Sequence, residues 1–411
     1  MKRRVSRRVA LLAQLLGTAG CSQFLGIEGL NGPGDGGPID GPPLAECQAQ
    51  RVVHLVGGNG GLAWFTLVWP APAVITGFQP TYAYDDPAKA KDVSFQVSHR
   101  MFARRLAMRA LWETVGGNPQ PTVFVAGQNE THTSSPQSIA INAGVGLDAA
   151  ASVIQAPLQP KYRTLIFSNA GPFGVATGAP SPVGVLNIDG AVGIFHGAVS
   201  PDIEGQLRPT TAQLARYVPN GEAQVEITLA TELAYTANAF RYGLLGTVIM
   251  PAFNDDPHGA FAAGVVTQRA DDLAVALDAF YTDLAAVNEP TCGHNGQPLS
   301  LADNTVLIVT GDTPKDSFNN SGWADGTPGN ANWMYMRSNG FTQLGWFGQV
   351  QVGSRTNFDP TTGALDAMAT VPGSTAAAFA GTLYAVARGN RMAVSPFTVA
   401  PYDGVLLSPP R

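Results

Sequence analysis

The chain has 411 residues, 45% of them hydrophobic and only 13% charged, with 24 Lys and Arg against 30 Asp and Glu. It therefore holds enough apolar material for a large buried core. Its acidic balance makes nucleic acid and anionic lipid surfaces poor partners, and no apolar run is long enough to span a bilayer.

The chain opens with Lys2, Arg3, Arg4, Arg7 and Arg8, followed by an apolar run over 9–19 and then Gly20-Cys21. This basic, apolar, small-residue order predicts a secretory signal over residues 1–20. The run is about half the ~20 residues of a spanning helix, which fits a cleaved signal and not a permanent anchor. Ser6-Arg7-Arg8-Val9-Ala10-Leu11 resembles a twin-arginine export signal, the alternative being an ordinary charged leader. Thr18-Ala19-Gly20-Cys21 resembles a lipobox, which makes Cys21 the expected lipidation site although Thr18 stands where Leu is usual. Removing 1–20 leaves 19 basic against 30 acidic residues, net −11. The expected protein is exported, lipid-anchored in a bacterial cell envelope, and faces the periplasm or the cell surface.

Residues 21–46 read as a lipidated tether, since ten of the fifteen positions over 29–43 are Gly or Pro and such a segment cannot bury enough apolar surface to order itself. If Cys21 carries lipid, Cys47 and Cys292 remain as an even pair in an oxidising compartment. They are expected to form a disulfide, with two unpaired thiols as the alternative. Closing so long a loop stabilises by on the order of 4–5 kcal/mol in the chain-entropy model.

Over 47–411 short β-rich runs alternate with helix-period segments, the pattern of an α/β domain with a mostly parallel central sheet flanked by helices. Strands are predicted at 51–56, 121–127, 163–168, 246–253 and 304–311. Helices are predicted at 99–115, with Arg100, Arg104, Arg105 and Arg109 on a basic face, at 223–242 and at 270–287. In the last of these Leu273, Leu277, Phe280, Leu284 and Val287 fall on one face. No second linker interrupts the region, so a single domain is expected.

In such sheets chemistry gathers in the loops after the carboxyl ends of strands. The first loop, Gly57-Gly58-Asn59-Gly60-Gly61, lacks phosphate-binding spacing and reads as a tight turn. After 121–127 come Glu130-Thr131-His132, where Thr131 is either a nucleophile with His132 beside it or a helix cap. After 246–253 come Asp256-Pro257-His258. Alternate residues of an extended segment face the same way, so Asp256 and His258 either share a metal or simply form a turn. After 304–311 comes Asp312, again a metal ligand or a turn residue, followed by a polar loop over 317–333. His54, His99, His196 and His294 have no partner at ligand spacing and read as core or surface residues.

The order of these segments resembles an exported bacterial family known only as domain-of-unknown-function family 1501, within the alkaline phosphatase and sulfatase superfamily. The likeness covers residues 51–348 and is strongest in VALDAFYTDL over 275–284 and NTVLIVTGD over 304–312. Asp256-Pro257-His258 stands in the place of the family's Asp-x-His, Glu130-Thr131-His132 in that of Arg-Ser-His, and Asp312 near the family's Glu. The resemblance implies an alkaline-phosphatase-like fold, in which metals activate a Ser or Thr and stabilise a transferred phosphoryl or sulfuryl group. It raises Thr131 and His132 as catalytic residues, and Asp256, His258 and Asp312 as ligands of one divalent ion, Zn, Mn or Ca. Two family positions are changed: Gly60 replaces an Asp, and Asp325-Gly326-Thr327 replaces Asp-His-Gly. Losing a carboxylate and an imidazole weakens a metal site and puts two-metal chemistry in doubt. The expected function is a non-catalytic envelope lipoprotein that binds a small-molecule ester or an envelope partner. The alternatives are a metal-dependent phosphate or sulfate ester hydrolase using Thr131 and a purely structural lipoprotein.

Overall fold

The computed structural model describes residues 44–58, 75–76, 114–115, 118–119, 122–130, 132–133, 136–168, 171–218, 224–252, 263–312, 328–351 and 354–407. Its centre is an eight-stranded sheet whose strands are β1 (Arg51–Gly57), β2 (Thr122–Gln128), β3 (Tyr162–Phe167), β4 (Val183–Val185), β5 (Leu245–Pro251), β6 (Thr305–Gly311), β7 (Ala331–Arg337) and β8 (Gly345–Phe347). They lie in the order β8-β2-β7-β6-β1-β5-β3-β4. Every strand but β7 runs in one direction, because β7 is antiparallel to both β6 and β2 and all other pairs are parallel.

The β-branched run Val52-Val53-His54-Leu55-Val56 makes β1 a natural interior strand, and it is buried along its whole length. Its side chains alternate between two apolar layers. Val53 and Leu55 join one core with helices α2 (Gln224–Arg241) and α3 (Ala263–Ala285). Val52 joins the other with α1 (Leu147–Ile154) and α4 (Val371–Val386). The Thr370 hydroxyl caps α4 by accepting from the Gly373 amide, and Pro372 occupies its first turn, where a missing N–H costs nothing. Its alanine-rich sequence from Ser374 to Val386 is buried on all sides, which lets the helix lie close against β2.

The five predicted sheet strands are present within two residues of their expected limits, and the helix expected at 223–242 is α2. The helix expected at 270–287 begins earlier, at Ala263, and ends at Ala285. The body of the helix expected at 99–115 lies outside the described residues. At its end Thr114–Val115 instead pairs antiparallel with Asn118–Pro119, as suits two β-branched residues ahead of a Gly-Gly pair. Ala331–Trp333, expected at the end of a polar loop, belongs to β7. Among the described residues no helix is long and apolar enough to cross a membrane.

Side chains tie the amino edge of the sheet together. Arg51 donates from Nε to Glu289 Oε2 at 2.9 Å, from Nη2 to Glu289 Oε1 at 2.5 Å, and from Nη1 to the Leu245 carbonyl. Asn304 and Thr291 donate to the same carboxylate. Burial alone would raise the Glu289 carboxyl, but the Arg51 charge and these hydrogen bonds outweigh it and hold the group below its ordinary value. Nearby, the expected disulfide joins Cys47 to Cys292 across 245 residues of sequence. The Cys47 amide donates to the Gly293 carbonyl, the Gly293 amide to that of Ala45, and the Glu46 carboxylate pairs with His294.

Candidate functional site

The carboxyl edge of the sheet brings together the ends of β1, β2 and β6. Because β1 and β6 are neighbours in register up to Gly57 and Gly311, the chain after β6 starts beside the chain after β1. The Asp312 amide donates to the Gly57 carbonyl at 2.9 Å, and the Asp312 carbonyl accepts from the Glu130 amide at 2.9 Å. Asp312 thus bridges two strand ends through its backbone, and the whole residue is buried. Asn332, at the start of β7, reinforces the junction by donating from Nδ2 to the Gly311 carbonyl at 2.9 Å and to the Ser138 hydroxyl.

The loop after β2 folds back on itself. Gly127 has φ +72°, and a Cβ there would lie 2.5 Å from the Ser138 carbonyl oxygen, so the turn requires glycine on both counts. Its amide donates to Thr375 Oγ1 at 2.8 Å, and its carbonyl accepts from Arg355 Nη1 at 2.7 Å. Glu130 Oε2 accepts from the amides of Gln137 and Ser138, the second at 3.0 Å. His132 follows with φ +50° and an exposed side chain. Such a left-handed conformation is uncommon outside glycine, though histidine is among the residues that adopt it more readily.

Of the residues singled out from sequence, the structure brings Glu130, His132 and Asp312 to this edge and closes the Cys47–Cys292 disulfide. Thr131, Asp256, His258 and Cys21 lie outside the described residues, as do Gly60 and Asp325-Gly326-Thr327. Among the described residues no three His, Cys, Asp or Glu side chains converge as a metal would require. The described donors therefore do not make a metal centre by themselves.

Two features of this end of the sheet escaped the sequence reading. Arg355, on the strand Ser354–Phe358 of a separate four-stranded sheet, is half-buried against β2, and burial pulls its guanidinium pKa down. His54, read as a core or surface residue, is fully buried and bound to both Asp148 and Thr310. Its signal was an imidazole inside an otherwise apolar buried strand, since a polar group there needs partners. No family model, curated protein or solved structure matches this chain.

Proposed function

We propose that this chain is a lipid-anchored protein of the bacterial cell envelope. Its α/β body is a divergent alkaline-phosphatase-like domain, it has lost a working metal centre, and it binds a ligand or an envelope partner at the carboxyl edge without metal-dependent turnover. The observation that carries this reading is the placement of Asp312, a proposed ligand that is wholly buried and fixed through its backbone between Gly57 and Glu130. Among the described residues no cluster of His, Cys, Asp or Glu completes a metal site around it. The replacements at Gly60 and Gly326 point the same way. Arg355 suits an anionic ligand, because a poorly hydrated guanidinium gains more from a phosphate or sulfate than a fully solvated one does.

A second reading, a phosphate or sulfate ester hydrolase with Thr131 as nucleophile and one Zn, Mn or Ca ion held by Asp256, His258 and Asp312, is favoured by one observation. His132, next to Thr131, sits in the left-handed region, and strain of that kind gathers at functional sites. The two readings separate in one experiment on the purified mature chain, with metal content measured by mass spectrometry and turnover assayed on aryl phosphate and sulfate esters with each ion. The binding reading expects no stoichiometric metal and no turnover, with phosphate or sulfate affinity lost in Arg355→Met. Turnover abolished by Thr131→Ala establishes the hydrolase instead. Radiolabelled palmitate incorporated by the wild type and not by Cys21→Ser tests the anchor.

A further inference from the structure

We infer that Asp148, His54 and Thr310 form a metal-independent nucleophilic centre for acyl esters, with Thr310 Oγ1 as the attacking atom. The three residues come from three elements: Asp148 from the first turn of α1, His54 from the middle of β1, and Thr310 from the end of β6. His54 Nδ1 lies 2.8 Å from Asp148 Oδ2, and His54 Nε2 lies 2.8 Å from Thr310 Oγ1. An ionised carboxylate only accepts hydrogen bonds, so beside a neutral imidazole it fixes the proton on Nδ1 and leaves the Nε2 lone pair facing the hydroxyl. The Thr310 O–H then donates to Nε2, the arrangement in which an imidazole can accept the proton of an attacking hydroxyl.

The chain of contacts also has a direction. In the register of β1 and β6, His54 pairs with Ile308 and Val56 with Thr310, so on the shared face the base lies one pleat deeper than the hydroxyl. Asp148 and His54 are 0% exposed and Thr310 is 5%, so the outermost member is the nucleophile. The next residues on both strands, Gly57 and Gly311, have no side chains to cover it. Among the described residues Asp148 Oδ1 is buried without a hydrogen-bond partner.

With Thr310 only 5% exposed, the ester it can meet is one with a small acyl group. Thr310 Oγ1 bonds to the carbonyl carbon as its proton passes to His54 Nε2. The bond from that carbon to the alcohol oxygen then breaks, and the leaving oxygen takes the proton from His54. The result is an acyl-threonine and a free alcohol. Water attacks the acyl carbon, gives a proton to His54, and Thr310 Oγ1 leaves and recovers that proton. Hydrolysis is complete without an oxidant, reductant or metal.

This inference does not rest on the proposed function, and the test keeps the two apart by using carboxylic esters in the presence of EDTA. The purified mature chain is treated with p-nitrophenyl acetate and, separately, with methanesulfonyl fluoride, and the modified peptide is identified by mass spectrometry. The expected result is a burst of p-nitrophenol and a methanesulfonyl adduct on Thr310. His54→Gln should slow adduct formation by about 10²–10⁴-fold, the usual share of a general base. Thr310→Ser, which keeps the hydroxyl, should be labelled, and Thr310→Val, which nearly keeps the shape, should not. Circular dichroism and thermal melts show which variants are folded, and the wild-type and Thr310→Ser results decide the matter if His54→Gln is not. Absence of any adduct on Thr310 in the wild type, or an adduct that forms as fast in folded His54→Gln, overturns the inference and leaves the three residues as an internal brace.

Discussion

At one end of β1 the Arg51 guanidinium is clamped between Glu289 and the Leu245 carbonyl with no solvent contact, while at the other Gly57 has no side chain and is held to its neighbour through the Asp312 amide. The amino edge is joined by side chains: the Arg51–Glu289 pair, the Cys47–Cys292 disulfide, and Gln50, whose amide reaches the Ala385 carbonyl at 2.6 Å. Among the described residues the ends of β1, β2 and β6 at the carboxyl edge are linked to one another through backbone, Gly57, Asp312 and Glu130 being joined amide to carbonyl. Stability is therefore concentrated where no chemistry is expected.

The strongest test of that contrast is Arg51→Met. It leaves the Glu289 carboxylate buried without its cation, which costs about 3–5 kcal/mol, and urea denaturation of the oxidised protein should show it. Removing the charge as well, in Arg51→Met with Glu289→Gln, should recover most of the loss. The pair also sets an acid limb. Because the folded Glu289 pKa is depressed, its contribution is complete above the ordinary Glu value of 4.5 and disappears as pH falls through the folded value. In the double variant that limb should vanish.

Next in size, reducing the Cys47–Cys292 disulfide should lower stability by about 2–5 kcal/mol. The same reductant should have no effect on a Cys47→Ser, Cys292→Ser double variant.

A third test falls between the edges, on Glu232 of α2, whose carboxyl burial pushes up to about 8. Here the folded form holds its proton more tightly than the unfolded chain. Stability is complete below pH 4.5 and falls as pH rises toward 8, at up to about 1.4 kcal/mol per pH unit. Glu232→Gln should flatten melting temperature against pH across that window. A slope unchanged from wild type would show that another group governs it.

The smallest effect is expected at the carboxyl edge. Glu130→Ala removes the acceptor of two loop amides and should cost about 1 kcal/mol, with faster hydrogen exchange at Gln137 and Ser138. A loss as large as that of Arg51→Met would erase the contrast between the edges.

The part of the fold that could be read from sequence is the part written in local pattern. β-branched runs such as Val52 to Val56 announce buried strands, and the spacing of Leu273, Leu277, Phe280 and Leu284 announces an amphipathic helix. α4 carried no such signal because it is apolar on every side, with alanines where a stripe would show. β7 was hidden by the polar residues ahead of it. The disulfide was legible because two cysteines remained once Cys21 was set aside. The link from His54 to Asp148 and Thr310 was not, since its members lie 94 and 256 residues apart and only the sheet register and the seat of α1 bring them together. At the carboxyl edge, sequence located the loops but not their wiring. Asp312 and Glu130 are both there, joined through backbone atoms whose pairing has no residue signature.

The cysteine link also determines how the body responds to a pull. The bond at Cys47 lies four residues ahead of β1 and connects to Cys292, on the strand Asn288–His294 outside the main sheet. Tension on the chain ahead of Cys47 passes through sulfur into that strand and its partner, Gln297–Ser300. β1 is paired on both sides at the middle of the sheet and is spared from being peeled out first. In the oxidised protein the bond is a mechanical stop, and a drag on the N-terminal segment is borne by covalent bonds before it reaches the hydrogen bonds of β1.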